Sequence, residues 1–393
     1  TDRVKSVATP PQWQGPRRGR VAVIGSGPAG LTAAYFLAMM GREVKVFEAL
    51  DVLGGMLAVG VPDYRLPREV LERDIEYIRR AGVEMETGRR VDSIQSLRDA
   101  GYDAVCVAAG AHSSYRLDIP GEDSDGVHDA ITFLRQVAMG EGGEMPGRVA
   151  VVGGGNAAID AARTALRLGA ESVTLLYRRT REEMPAIREE IEEAVIEGVD
   201  LRFLVTPIEI LAENGRVRAV RCAEMELAGA DESGRRRPIR KEGAEQSFEA
   251  DSVIVAVGQQ PELRFAAGDG HLVVSRGRAV ADPVTQHAGG DVFVGGDAVT
   301  GPATIVEAIA AGQRAAQAID VFLGGEGELP ADKGFASPGK PEPDESPEAA
   351  RRRTIRTRSP RKRTGDFDEV TKGYARRAAC AEARRCLRCD LEQ

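Results

Sequence analysis

The segment Val21-Ala22-Val23-Ile24-Gly25-Ser26-Gly27-Pro28-Ala29-Gly30 sets three glycines in G-x-G-x-x-G spacing directly behind an apolar run. That arrangement suits the capture of a pyrophosphate. Gly25 permits a sharp turn, Gly27 lets the backbone approach a phosphate, and Gly30 lets a helix pack closely on a strand. Pro28 falls where a helix start tolerates a missing N–H. The exposed N–H groups of Ser26, Gly27 and Ala29 and the positive helix end then hold the phosphates. Glu48 stands 18 residues beyond Gly30, at the end of the next strand, where a carboxylate accepts from a ribose hydroxyl. A glycine-rich turn without a ligand is the bland alternative.

A second cradle follows at Val149-Ala150-Val151-Val152-Gly153-Gly154-Gly155-Asn156-Ala157-Ala158. Ala158 takes the third position, which moves its helix slightly away from the strand. No acid ends the next strand; Tyr177-Arg178-Arg179 stands there instead. Guanidinium groups at that point suit a 2′-phosphate, which favours NADP over NAD. The competing reading makes Arg178 and Arg179 surface charges that face the nearby glutamates.

Two adjacent dinucleotides point to hydride transfer between nicotinamide C4 and flavin N5, with the cofactors supplying the chemistry. Enzymes that pass such electrons to a disulfide need a cysteine pair beside the flavin. Neither cradle region has one. Cys106 lies in the apolar stretch Ala104–Ala109 and Cys222 in Val217–Cys222, so both read as core thiols. The other three cysteines, Cys380, Cys386 and Cys389, crowd the C-terminal end. The Cys386-x2-Cys389 pair reads as metal or cluster ligation, with Cys380 and a partner ligand completing the set. Thiols on an interface helix are the alternative.

The elements that position these groups alternate short β-branched strands with alanine-rich helices, the pattern of parallel α/β units. The expected first unit is strand Val21–Gly25, helix Pro28–Met40 and strand Glu43–Glu48. A second unit starts 128 residues later with strand Arg148–Gly153, helix Ala157–Leu168 and strand Ser172–Tyr177, an internal repeat. A helix is expected over Arg181–Glu197, a polar hairpin over Ala223–Ala250, a strand over Val253–Gly258, and a last βα unit from Asp291. The fold class is α/β: two dinucleotide-binding domains, one inserted in the other, with an extended C-terminal tail. The expected boundaries are a strap at 1–19, an FAD domain at 20–147 and 256–325, an NAD(P) domain at 148–255, and a linker and tail at 326–393. A final helix is expected from Asp366, capped with the help of Glu369.

Composition narrows the class. The 393 residues are too many for one core, and 42% hydrophobic content with 45 glycines is globular rather than disordered. No apolar run reaches a membrane span, and the expectation is a cytoplasmic protein. Five unevenly placed cysteines do not make a disulfide framework. The run Arg351–Arg363 carries eight basic residues and no acid, so the other residues sum to −16 within a chain of net charge −8. That body repels nucleic acid, and the run lacks interleaved aromatics for base stacking. It reads as a solvated basic segment or as an arm lying on an acidic partner.

Together these residues resemble the small, FAD-containing subunit of glutamate synthase and its relatives in multisubunit reductases, from about Arg20 to Gly324. The marks are Gly54-Gly55-Met56-Leu57, Gly60-Val61-Pro62, Tyr64-Arg65-Leu66-Pro67, Ala109-Gly110 and Ile119-Pro120-Gly121-Glu122-Asp123. Further marks are Gly153-Gly154-Gly155-Asn156, Tyr177-Arg178-Arg179, Met184-Pro185-Ala186, Val257-Gly258-Gln259-Gln260-Pro261, Gly295-Gly296-Asp297 and Gly301-Pro302-Ala303-Thr304. The resemblance implies FAD in the first cradle and NAD(P)H in the second. It adds Met56, Ala109, Gly110 and Gly296 to the FAD set and Gly258 to the NAD(P) set. Asp297 would accept from the ribityl chain or cap a helix. The helix after Thr304 would point its positive end at the flavin, while Gly54, Gly55 and Arg65 would line the ring.

The sequence departs from the family at its start, where relatives carry a cysteine-rich cluster domain and residues 1–19 hold no cysteine. The expectation is therefore an FAD-dependent NAD(P)H oxidoreductase subunit. Its partners would be a polyferredoxin-like iron–sulfur subunit and a catalytic subunit, with neither nucleic acid nor membrane involved. A free-standing reductase of ferredoxin or a quinone and a non-catalytic flavoprotein scaffold are the rivals.

Overall fold

In the computed structural model, residues 9–230, 234–266, 268, 270–330 and 352–384 are described. The alternation of Val and Ala in RVAVI makes a fully covered strand, β1 (Arg20–Ile24). The turn after it feeds α1 (Pro28–Met39) and then β2 (Glu43–Phe47), which lies parallel to β1. Helix α2 (Arg68–Arg80) and β3 (Glu84–Glu86) follow, and β4 (Ala104–Val107) returns to the other side of β1. The chain then leaves this sheet for some 180 residues.

The second sheet starts at β5 (Val127–Asp129), with α3 (Ala130–Ala138) behind it. Next come β6 (Arg148–Val152), α4 (Asn156–Arg167), β7 (Ser172–Tyr177), α5 (Arg188–Glu197) and β8 (Asp200–Phe203). Three long antiparallel strands, β9 (Val205–Glu213), β10 (Arg216–Ala230) and β11 (Arg236–Glu249), precede β12 (Ser252–Val255), which closes the unit. The chain rejoins the first sheet at β13 (His287–Gly289) and β14 (Val292–Val294) and ends that unit with α6 (Ile305–Phe322).

The first sheet runs β13-β14-β4-β1-β2-β3 and the second β5-β12-β6-β7-β8. Apart from the β13–β14 pair, all their pairings are parallel. The two glycine-rich turns thus occupy equivalent places, after β1 and after β6, at the carboxyl ends of central strands.

Three expectations change. Val127–Asp129 pairs with Ser252–Val255, so the second sheet begins ahead of residue 148. A three-residue strand is too short to show a periodic signal. The expected helix Arg181–Glu197 is broken at Met184-Pro185 into a single 3₁₀ turn and α5, because proline removes a donor and disfavours helix before it. No helix starts at Asp366. Its carboxylate instead accepts from Arg358 (Nη2 to Oδ2, 2.6 Å), and the helices there are Pro360–Arg363 and Arg376–Ala383.

The basic run is consequently not a free arm in its second half. The Arg363 side chain is 2% exposed and paired with Glu193 and Glu197 of α5. Beyond it, the N–H of Val370 donates to the Tyr64 carbonyl (3.0 Å), and Phe367 packs on the Tyr64 ring. The polar lead-in is tied down as well, since Arg17 donates to the carbonyls of Arg42, Ala81 and Gly82.

Candidate functional site

The roles of the first three glycines can be read from the space around them. Gly25 has φ +101°, and a Cβ there would lie 2.4 Å from the Ala108 carbonyl oxygen. A Cβ on Gly30 would lie 2.0 Å from the Gly25 carbonyl, so only glycine lets α1 approach β1 this closely. Gly27 is the opposite case, with extended backbone (φ −70°, ψ 178°) and nothing within 4 Å of its absent Cβ. No side chain caps α1, whose first residues, Pro28 and Ala29, line the same opening.

Around that opening, Glu48 is buried and fixed. Its Oε2 accepts from the Ser26 N–H (2.9 Å) and hydroxyl (2.6 Å), and its Oε1 from the Leu50 N–H (2.9 Å). The Ser26 hydroxyl in turn accepts from the Gly54 N–H at 3.0 Å. One carboxylate therefore locks the cradle to the end of β2 and to the Gly54-Gly55 turn, and Oε1 keeps acceptor capacity.

The second cradle repeats the arrangement. Gly153 has φ +144°, with the Ala256 carbonyl 2.3 Å from its would-be Cβ. Gly155 caps α4 without a side-chain bond and has nothing within 4 Å. Gly154 serves packing, because a Cβ would strike the Tyr177 ring at 2.4 Å. The Asn156 amide oxygen accepts from the Ile187 N–H at 2.9 Å and so braces the turn before α5.

Both cradles open on one cavity of about 1240 Å³. Its wall includes Gly25, Ser26, Gly27, Pro28, Ala29, Glu48, Gly55, Met56, Arg65, Ala109, Gly110, Gly296, Asp297 and Thr304 from the first unit. From the second unit it includes Gly153, Gly154, Gly155, Asn156, Ala157, Arg178, Arg179 and Gly258. Gly30 and Gly54 lie behind the wall and shape it. Cys380 is exposed and stands away from it, and Cys386 and Cys389 lie outside the described residues.

Asp297 opens a four-residue helix, and its Oδ1 accepts from the Ala303 N–H at 3.2 Å. Burial pushes its carboxyl up to about 6. Thr304 is the N-cap of α6 in a capping box with Glu307, so the positive end of α6 faces the cavity. Arg65 stands on the cavity wall and does a second job there. Its guanidinium binds Asp160 of α4 through Nη1 (2.7 and 2.9 Å) and pairs with Glu190 of α5 through Nε (3.2 Å). It touches the cavity while bridging the two units. Burial raises Asp160 to about 6 against the pull of Arg65.

Sequence reasoning missed that bridge and its neighbours. Tyr64 is buried under the guanidinium groups of Arg167 (3.8 Å to the ring centroid) and Arg163 (4.8 Å). Both arginines share the fully buried Glu197 carboxylate. No local pattern announces such a cluster. The arginines Arg235 and Arg240 at the cavity wall were also missed, although the polar hairpin carrying them was expected. Cys106 and Cys222 are buried as expected, and desolvation pushes each thiol up to about 12. Among the described residues no group of His, Cys, Asp or Glu could hold a metal ion, and no helix is long and apolar enough to cross a membrane.

A pair of parallel-sheet units with facing phosphate cradles defines a dinucleotide-dependent oxidoreductase architecture. Residues 19–312 match the pyridine nucleotide-disulphide oxidoreductases, and the chain belongs to that family. It is 44% identical over 385 residues to an NADP(+)-dependent formate dehydrogenase subunit beta of Moorella thermoacetica, a match covering 94% of this chain and 54% of the relative. It is 39% identical to the NADPH-Fe(3+) oxidoreductase subunit beta of Geobacter sulfurreducens, covering 97% of this chain and 63% of that one. The glutamate synthase [NADPH] small chain of Escherichia coli is 38% identical, with 77% and 68% covered. The chain thus spans little more than half to about two thirds of these relatives. Among solved structures, the oxidoreductase FprA of Mycobacterium tuberculosis superposes with a TM-score of 0.67 at 22% identity, covering 78% of this chain and 85% of that one. That likeness is one of fold.

Proposed function

We propose that this chain is the flavin-bearing part of an NADP(H)-dependent oxidoreductase, passing electrons between the nicotinamide and the iron–sulfur clusters of a partner subunit. The observation that carries the reading is the single cavity onto which both cradles open. Bound there, FAD would accept a hydride from the nicotinamide and release its electrons one at a time. The residues fit FAD in the first cradle, since the space beside Gly27 is open and Glu48 is fixed with acceptor capacity to spare. Gly25 to Gly30, Glu48, Gly54, Gly55, Met56, Ala109, Gly110, Gly296, Asp297 and Thr304 form that site. Gly153 to Ala157, Arg178, Arg179 and Gly258 form the dinucleotide site, and Arg178 and Arg179 favour NADP. Arg65 fixes the distance between the two sites through Asp160.

In domain terms the reading is an FAD domain of residues 20–126 and 256–325 that encloses an NADP domain. The relatives named as beta subunits and a small chain support an assembly of subunits, and the reading takes that assembly to be cytoplasmic. Among the described residues no cysteine pair lies beside the cavity, which supports an acceptor other than a disulfide, and Cys386 and Cys389 are offered as ligands to a cluster shared with the partner. Purification from the host at low salt tests this reading. A yellow chain that co-purifies with an iron–sulfur protein is expected. A chain without flavin would overturn it.

A further inference from the structure

The corner of the cavity beside the second cradle is walled by Arg178 and Arg179 at the end of β7 and by Arg235 and Arg240 at the start of β11. These strands are far apart in sequence, but backbone bonds bring them together. The Leu204 N–H donates to the Arg179 carbonyl (3.2 Å), and the Met225 N–H donates to the Leu204 carbonyl (2.8 Å). Met225 is the cross-strand partner of Arg240. The end of β11 is also pinned directly, because buried Arg179 donates through Nε to the Arg236 carbonyl at 2.8 Å.

Among the described residues, the charged side chains walling this corner are of one sign. None of the segments lining it (Gly153–Asn156, Tyr177–Arg179, Val205–Pro207, Arg235, Arg240) contributes an acid to the wall. The nearby Glu183 is engaged by Arg236 at 2.5 Å and by the Thr180 hydroxyl. Four guanidinium groups around one pocket suit a dianionic group held by forked hydrogen bonds, as a phosphate monoester is.

We infer that the antiparallel strand β11 completes the dinucleotide site, with Arg235 and Arg240 as specificity-determining contacts to the 2′-phosphate of NADP(H). Arg179 anchors that strand in place. The inference rests on the proposed reading of the second cradle and extends it to residues that no phosphate-binding motif includes. It also gives the three-stranded insertion a role, since the parallel sheet is closed without it.

Binding to the flavin-loaded chain tests this by titration calorimetry with adenosine 2′,5′-bisphosphate and adenosine 5′-monophosphate, which differ only in the 2′-phosphate. The unmodified chain should prefer the bisphosphate. The R235Q/R240Q variant should lose roughly ten- to a hundred-fold of bisphosphate affinity, one or two charged hydrogen bonds' worth, and keep its monophosphate affinity. R237Q, on the same strand but off the cavity wall, should match the unmodified chain. Undiminished preference in R235Q/R240Q would overturn the inference while leaving the cradle intact. If neither probe binds the unmodified chain, the reading of the second cradle itself fails.

Discussion

Replacing Gly27 by valine separates ligand binding from folding within a single motif. The Gly27 backbone is extended at φ −70°, and its missing Cβ faces open space, so valine meets no protein atom within 4 Å of that position. The folded chain should lose only the difference between glycine and valine at an N-cap, about 1 kcal/mol. The new methyl groups would occupy the path expected for the pyrophosphate, so the variant should purify colourless. Gly30→Ala is the contrasting change, because its Cβ would stand 2.0 Å from the Gly25 carbonyl and strand and helix would have to part. Overpacking of this kind costs about 1–3 kcal/mol or more, and both stability and flavin should fall. Thermal unfolding with and without added FAD reads the two effects apart. At a hundred-fold excess over Kd, FAD stabilises the unmodified chain by about 2.7 kcal/mol, or roughly 3 °C for a chain of this length. Gly27→Val should fold like the FAD-free unmodified chain and gain nothing from FAD. Full flavin retention in Gly27→Val, or unfolding as severe as in Gly30→Ala, would refute the reasoning.

Other outcomes follow from the buried groups. Glu197→Gln removes the shared counter-charge of Arg163 and Arg167 and the nearest carboxylate but one to Arg363, so it should cost about 3–5 kcal/mol in urea unfolding. An unchanged midpoint would show that Glu190 and Glu193 suffice. In the FAD-free chain, burial raises Asp297 from 3.8 to about 6, so the folded state holds this proton more tightly than the unfolded state. Its stabilising contribution is complete below the unfolded value and is lost as pH rises through 6. Asp297→Asn should abolish that step, and a step that persists would assign it elsewhere. Cys106→Ala with Cys222→Ala should leave NADPH-driven dye reduction intact, and neither form should reduce a disulfide; loss of dye reduction with retained flavin would make one thiol part of the electron path.

What could be read in advance was local. Each cradle lies within ten consecutive residues, and the roles of Gly25, Gly27 and Gly30 depend on neighbours that the motif itself implies. The β1–α1–β2 and β6–α4–β7 boundaries therefore fell within a residue or so of those expected. Interactions that join distant segments were not legible. Arg65 and Asp160 are 95 residues apart, and each could have faced water as easily as its partner. The tail shows the same limit, since its charge density suggested solvent or a partner, whereas Arg363 is buried against α5 and Val370 against the Tyr64 loop. Asp366 and Glu369 fit a helix start by type, but the Arg358 guanidinium competes for the Asp366 carboxylate. Arg178 and Arg179 were visible as a pair. Their relation to Arg235 and Arg240 depends on three strands lying side by side, which no spacing reveals.

The central claim is that both cradles serve one cavity, one holding the flavin and the other the nicotinamide that reduces it. Anaerobic rapid mixing of the flavin-loaded chain with NADPH, beside the same measurement on Gly155→Val, tests it most directly. Gly155 has open space where a Cβ would stand, so this variant should fold and keep its FAD. The expected result is rapid bleaching of the flavin absorbance in the unmodified chain and little or none in the yellow Gly155→Val protein. Equal bleaching in both, or a yellow unmodified chain that NADPH does not reduce, would contradict the claim.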